Sequence, residues 1–394
     1  MYVTRTLKMH RKGESEILST PPIEGPHSGY LMFADGEIHE EAGGSCCWGI
    51  CKDTQVRKLP FPQNKILEVV YTTSNGQNST TYRDDVWFIP VVDQPISSNC
   101  YYVIVAKHKY KGLACTCSKD EDMGTCFCCN YIKDSKPSVL DHTNSYQQVA
   151  IFPKSYGFVG KSVEEDGFTP LFLRRKGWRA ETSSSFKTEL SSAEGLNMSL
   201  RLGLPAFDFP ISSKRSPSVI VGKWYCPFVF VNEGNRLKDQ MKESMLYTMN
   251  LEQWWEEIYT SEKDKLSENY VNVNVDVQNE VSSLFGLVAV KDDKYGPGNI
   301  MWYSHVDNQG EVTSLGLSSA IVEKMKLVLK LGGWIGGGDR DVKVERVEEY
   351  KGENGWNRFG CFVLVERFSL KRMDGTVVLT CDYRHTHQIQ CKWE

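Results

Sequence analysis

Long hydrophobic runs are missing from this 394-residue sequence. No stretch approaches the roughly 18 consecutive apolar residues that cross a bilayer as a helix, so no helical membrane span is expected. The opening MYVTRTLKMHRKGESEI has none of the apolar core of a secretion signal. The corresponding expectation is an intracellular protein, cytoplasmic or nuclear. A surplus of positive charge is missing too: 46 Lys and Arg stand against 50 Asp and Glu, a net charge of -4. Binding a phosphate backbone depends on clustered cations, which argues against nucleic acid as a partner. Tandem repeats and low-complexity tracts are also absent, so a solenoid or a disordered tail is not expected.

Cysteine, by contrast, is plentiful, with 13 residues. In a reducing compartment these are thiols or metal ligands rather than a disulfide framework. The sequons at Asn78 and Asn197 would stay unglycosylated there. The length exceeds that of one ordinary core and points to two domains. Residues 181–217, with Ser183-Ser184-Ser185, Ser191-Ser192 and SSKRSPS, read as linker-like. They separate a β-rich part, 1–180, from an α+β part, 218–394. The expected class is therefore α+β: mostly antiparallel sheets with a few short covering helices.

In the first part, Pro21-Pro22 and Gly25-Pro26 suit an extended arm ordered only by docking. Strands are expected at 29–33, 66–73, 85–91 and 101–106, and LPFPQN (59–64) as an extended connector. Asp166 is positioned to cap a short turn, and Arg174-Arg175-Lys176 reads as a solvated basic patch. In the second part, SVIVGKWYCPFVFV (218–231) reads as a strand interrupted at Pro227 and paired with 245–251. A short helix is expected over 252–259, where Trp254, Trp255 and Ile258 recur at helical spacing. The strict alternation VNVNVDV (271–277) predicts a strand, 299–303 another, and SSAIVEKMKLVLKL a helix ending at Gly332 or Gly333. Residues 341–350 alternate imperfectly and suggest a half-exposed strand.

The last thirty-six residues read as one long hairpin turning at Asp374-Gly375 through a two-residue type I′ turn. Its register places Leu370 opposite Leu379, Phe368 opposite Cys381, Glu366 opposite Tyr383, Leu364 opposite His385 and Phe362 opposite His387. On the other face Arg367 meets Asp382.

The motifs MYVTR, PPIEGPHSGYL, LPFPQN, KHKYKG, SKDEDMGTC, FLRRKGW, VGKWYCPFVFV, FGCFVLVERFSLKRMDG and YRHTHQIQCKWE occur in one order along the chain. Together they resemble a plant-restricted family of uncharacterised proteins, the domain of unknown function numbered 1262. The resemblance implies a plant source and carries no catalytic residue onto this chain.

Three constellations bear chemistry. His385, His387 and Glu366 on one strand face form the donor set of a two-histidine, one-carboxylate site for zinc or another divalent metal. The alternative is a buried polar network in which Glu366 and Tyr383 satisfy the imidazoles. Cys115, Cys117, Cys126 and Cys128, around the loop SKDEDMGT, form a candidate structural zinc site with C-x-C spacing, beside the reading as small buried thiols. Cys46, Cys47 and Cys51 are further possible ligands. GGWIGGG (332–338) leaves a helix and enters a strand, the reverse of a phosphate loop, and reads as a cap and turn. Trp224-Tyr225, Trp254-Trp255 and Trp334 line either a ligand pocket or a core. The functional expectation is a non-catalytic binding or interaction protein with a protein or small-molecule partner. The alternatives are a metal-dependent enzyme using His385, His387 and Glu366, and a membrane-surface or defence protein.

Overall fold

Two apolar runs, VWFIPVV and YYVIV, have no polar alternation, and such strands are buried on both faces. The computed structural model, which describes residues 1–11, 19–22, 24–34, 54–76, 78–126, 129–263, 269–334, 341–353 and 355–394, shows them in adjacent antiparallel strands, Asn78–Pro90 and Cys100–Val105. One face carries Val86, Phe88, Tyr101 and Val103 into a core with Phe61, Phe158 and Trp178. The other carries Trp87, Ile89, Tyr102 and Ile104 into a larger core shared with Phe228, Phe230, Leu246 and the helix residues Ile321 and Met325. Trp87 stacks on Phe228 at a centroid distance of 5.9 Å. Apolar surface from both parts of the chain is thus removed from water together.

Among the described residues, the first of these strands belongs to a seven-stranded sheet running Gly157–Ser162, Gln148–Lys154, Cys100–Val105, Asn78–Pro90, Lys65–Asn75, Arg179–Lys187, Gln55–Val56. A twelve-stranded sheet runs from Val231–Asn232 through Val312–Ser318, Ile300–Val306, Leu287–Lys291 and Glu280–Leu284 to the terminal hairpin. It continues through Leu246–Glu262 and Val219–Pro227 to Tyr2–Thr6 and Gly29–Phe33. The last two strands pair in parallel; the other strand pairs named here are antiparallel. Among the described residues strand accounts for 51% and helix for 14%, which makes the protein mostly β with several antiparallel sheets and few helices. The helix Ser319–Leu331 buries Ile321, Val322, Met325, Val328 and Leu329 and ends at Gly332, as its stripe predicts. The expected arm is docked: Tyr2–Thr6 pairs with Gly29–Phe33 and, across more than 200 residues, with Val219–Pro227.

The helix expected over 252–259 is not formed. Leu246–Glu262 is a single 17-residue strand between Val219–Pro227 and Arg358–Arg372. Its neighbouring tryptophans point to opposite faces, Trp255 toward Phe209 and Leu364, and Trp254 toward Val363 and Val365. A strand covered on both sides loses its period-two signature, so adjacent aromatics imitate helical spacing. The acids read as a solvated helix face pair across strands instead, Glu256 with Arg384 at 2.8 Å and Glu252 with Lys371 at 3.8 Å. Likewise Asp166 caps no turn and accepts from the Tyr146 hydroxyl, while Arg174 bonds Asp134 and the Thr169 carbonyl.

In the terminal hairpin the register from Leu370 opposite Leu379 to Leu364 opposite His385 is as expected, and Arg367 holds Asp382 through two hydrogen bonds. Both ends differ. The turn has three residues: Gly375 N donates to Arg372 O, Arg372 N donates to Thr376 O, and Gly375 takes φ +90°. This is a type I turn followed by a left-handed glycine, whereas a type I′ turn also needs positive φ at Asp374. Beyond Leu364 the next partners are Val363 and Ile389, so Thr386, His387 and Gln388 bulge out and Phe362 faces Gln390. Such bulges re-aim side chains that a regular ladder would stack.

Trp87 packs where the two sheets meet. Replacing it by alanine is expected to lower the stability of the whole chain by about 3–5 kcal/mol. In denaturant titrations, fluorescence and far-ultraviolet circular dichroism should then shift together; a shift in one probe alone would show that the sheets unfold separately.

Candidate functional site

Glu366 sits in the strand Arg358–Arg372 with its side chain in the protein interior, where an isolated carboxylate would lose its hydration. Donor groups on three elements compensate it. Arg201, from the short helix Met198–Leu202, donates Nε to Oε1 at 2.7 Å and Nη2 to Oε2 at 2.6 Å. Gln253 Nε2, on the adjacent strand, donates to Oε1 at 2.8 Å. His385 Nε2, on the hairpin partner strand, lies 3.0 Å from Oε2. Arg201 also donates Nη1 to the Val328 carbonyl at 2.7 Å, placing its charge at the C-terminal end of the helix Ser319–Leu331. Gly332 permits that approach, since a Cβ there would meet the guanidinium at 2.0 Å. Arg201, Glu366 and His385 are each at most 2% exposed.

The hydrogen bonds from His385 and Arg201, with the guanidinium charge, hold the Glu366 carboxyl down at about 2 against the opposing effect of burial. A carboxylate offers about four lone-pair positions, and here four donors occupy them. The geometry of the cluster is that of a strut joining a helix, a helix end and three strands.

The other candidate residues are placed as follows. His387 lies in the bulge, exposed, with its ring 5.6 Å from that of His385; partial desolvation and the neighbouring His385 lower its pKa. Tyr383 is opposite Glu366, with its hydroxyl engaging Glu280 and its ring edge-on to Trp334 at 5.1 Å. His385 Nδ1 meets no hydrogen-bond partner among the described residues. Cys115 and Cys117 are buried, and desolvation pushes the Cys117 thiol up to about 11. Cys126 stands opposite Cys129 in a small hairpin. Cys128, Cys46, Cys47 and Cys51 lie outside the described residues, as does 335–340 of the glycine-rich segment. Among the described residues no group of three or more His, Cys, Asp or Glu is disposed to hold a metal ion. Trp224, Trp254 and Trp255 pack in cores.

Sequence reasoning missed Arg201 and Gln253. Arg201 lies in MSLRLGL, where polarity is inverted: Leu200 and Leu202 face solvent while the arginine turns inward. The available signal was Glu366 itself, a lone charge on an apolar strand face, which requires a cation. Gln253 was hidden by the mistaken helix, because its pairing with Glu366 exists only if 246–262 is a strand.

A second feature lies on the outer face of the large sheet. In Leu287–Lys291 the residue Ala289 points inward, while Val288 and Val290 point out. Val306 and Val312, directly opposite one another, also stand outward. All four valines are at least 59% exposed. Two cavities lie elsewhere: one of about 430 Å³ lined by Thr4, Arg5, Met9, Phe33 and Glu194, another of about 590 Å³ lined by Arg57, Lys154, Tyr156 and Arg179 among others.

These observations define a mostly β protein in which the buried carboxylate of Glu366 is surrounded by donors that hold elements together. Residues 24–129 match the family described as "Protein of unknown function (DUF1262)", in agreement with the motif resemblance over that stretch. The match includes Cys115, Cys117, Cys126 and Cys128 and stops short of Arg201, Glu366 and His385. No curated protein matches the chain. Among solved structures, a crystal structure of Cry35Ab1 is similar at 12% identity and a TM-score of 0.43, over 84% of this chain and 90% of that one. No helix among the described residues is long and apolar enough to cross a membrane.

Glu366→Gln should destabilise the protein by about 3–5 kcal/mol, because Arg201 is left buried without its counter-charge. The folded carboxyl titrates at about 2, below its ordinary value of 4.5, so its contribution is complete above that ordinary value and lost as pH falls toward 2. Urea titrations at pH 6 and pH 3 should show the gap between wild type and variant narrowing at the lower pH; an unchanged gap would contradict the linkage.

Proposed function

We propose that this protein is a non-catalytic binding protein, intracellular and of plant origin, that engages a protein partner through the uncovered face bearing Val288, Val290, Val306 and Val312. The exposure of these four valines is the observation that carries the reading. Singly exposed apolar residues are ordinary, whereas a contiguous set on adjoining strands marks an interaction surface. We further take residues 1–180 and 218–394 as two lobes that share the Trp87–Phe228 core. The metal-enzyme alternative requires Glu366 to exchange bonded donors for a cation placed beside the Arg201 guanidinium, an electrostatically opposed step. Zinc held by Cys115, Cys117, Cys126 and Cys128 would be compatible with a binding role, as a clamp on the loop between them.

The membrane-surface reading draws on one feature: a two-stranded antiparallel ribbon in which Tyr270–Gln278 alternates apolar and polar residues over its nine positions and Asp341–Glu349 does so over its first five. Their valines Val271, Val273, Val277 and Val344 are packed against Trp356 and Phe359. Liposome flotation that recovers no protein would remove this reading.

Val288→Asp combined with Val306→Asp should reduce co-purification of the partner from plant extract by about tenfold or more, with the melting temperature unchanged. Equal capture by wild type and variant would overturn the assignment of the face. Elemental analysis of untagged protein prepared without chelator should show no metal that depends on His385 and His387. Near-stoichiometric metal, lost in the His385→Ala, His387→Ala double variant while the fold is kept, would instead establish the metal enzyme.

A further inference from the structure

The far end of the terminal hairpin brings two cysteines face to face. Arg358 and Glu394 exchange both backbone hydrogen bonds at 2.8 Å. Pairs in an antiparallel ladder alternate, so Gly360 and Lys392 form the next hydrogen-bonded pair, and Cys361 with Cys391 falls at a non-hydrogen-bonded position. There the Cα atoms approach to about 4.5 Å with side chains converging, within the span of about 4.4–6.8 Å that a disulfide bridges. Both side chains leave the ladder on the same face and converge there. Cys361 is fully buried and Cys391 partly exposed, so the pair has a route to solvent on one side. Two other buried cysteines have no cysteine across the ladder: Cys381 faces Phe368 and Ser282, and Cys226 faces Tyr247.

We propose that Cys361 and Cys391 are a peroxide-responsive pair that closes to a reversible disulfide. The Cys361 thiolate attacks one oxygen of hydrogen peroxide, the O–O bond breaks, and hydroxide leaves and is protonated to water, giving a sulfenic acid. The Cys391 sulfur then attacks the Cys361 sulfur, the S–O bond breaks, and the thiol proton leaves with the hydroxyl as a second water. Two thiols are oxidised and one peroxide is reduced to two waters. The order follows the interaction between the two sulfurs, which lowers the Cys361 thiol below its ordinary value and raises that of Cys391. Peroxide is small and uncharged, as access to a buried sulfur requires. By contrast, burial raises the Cys226 and Cys381 thiols to about 12, leaving little thiolate to react. The closed bond would fasten the hairpin end beneath the ribbon formed by Tyr270–Gln278 and Asp341–Glu349, whose Val273 and Val344 belong to the same cluster as Cys361.

Native full-length protein is treated with hydrogen peroxide, alkylated, digested with trypsin and mapped by mass spectrometry. The expected result is a species linking peptide 359–367 to peptide 385–392, lighter than their sum by two hydrogen atoms and abolished by dithiothreitol, with Cys226 and Cys381 still free. In a Cys391→Ser variant, dimedone should capture the sulfenic acid on Cys361. Recovery of Cys361 and Cys391 as alkylated thiols after peroxide would overturn the proposal, as would a link formed only when peroxide is added in denaturant. The wild-type map decides the matter even if the variant fails to fold.

Discussion

The bidentate contact between Arg201 and Glu366 is the constraint around which the large sheet is assembled. Each charge alone would lose several kcal/mol of hydration on burial, so neither side chain can occupy the interior without the other. The pair positions the helix Met198–Leu202 against the strand Arg358–Arg372, and through the Val328 carbonyl it fixes the end of the helix Ser319–Leu331. His385 and Gln253 complete the shell of donors from the two flanking strands. Apolar packing alone tolerates sliding between sheets, whereas four directed bonds on one carboxylate define a single register.

The same saturation shapes the functional reading. Catalytic carboxylates and histidines need a free lone pair or an exchangeable proton facing a substrate. Glu366 has its acceptor positions filled, and the cavities of about 430 and 590 Å³ are lined by other residues. Reactivity is therefore sought in places where groups remain unengaged: the outward valines for association, and the facing thiols of Cys361 and Cys391 for redox chemistry.

The sequence was readable where one face of an element is buried and the other is not. VNVNVDV, the Ile321–Leu329 stripe and the hairpin from Leu364 to Leu379 all carry an unbroken period, and each has the expected structure. Where both faces are covered, the period disappears: Trp254 and Trp255 suggested a helix in what is a central strand. Two further features follow from tertiary context. The bulge at Thr386–Gln388 interrupts a ladder that local pairing rules extend without a break, and it takes His387 out of its expected pairing with Phe362. Arg201 is inward because Glu366 waits for it 165 residues away, a relation that no local window contains.

The docking of Tyr2–Thr6 against Val219–Pro227 also sets an order of events during synthesis. A chain elongating at roughly 5–20 residues per second exposes this strand on the order of tens of seconds before the antiparallel neighbour emerges. In that interval the parallel partner Gly29–Phe33 is within reach, and the newborn segment carries an unfilled edge of the kind that invites pairing with other chains. The strand is therefore made well before it is secured, which puts early chaperone engagement among the requirements of this topology.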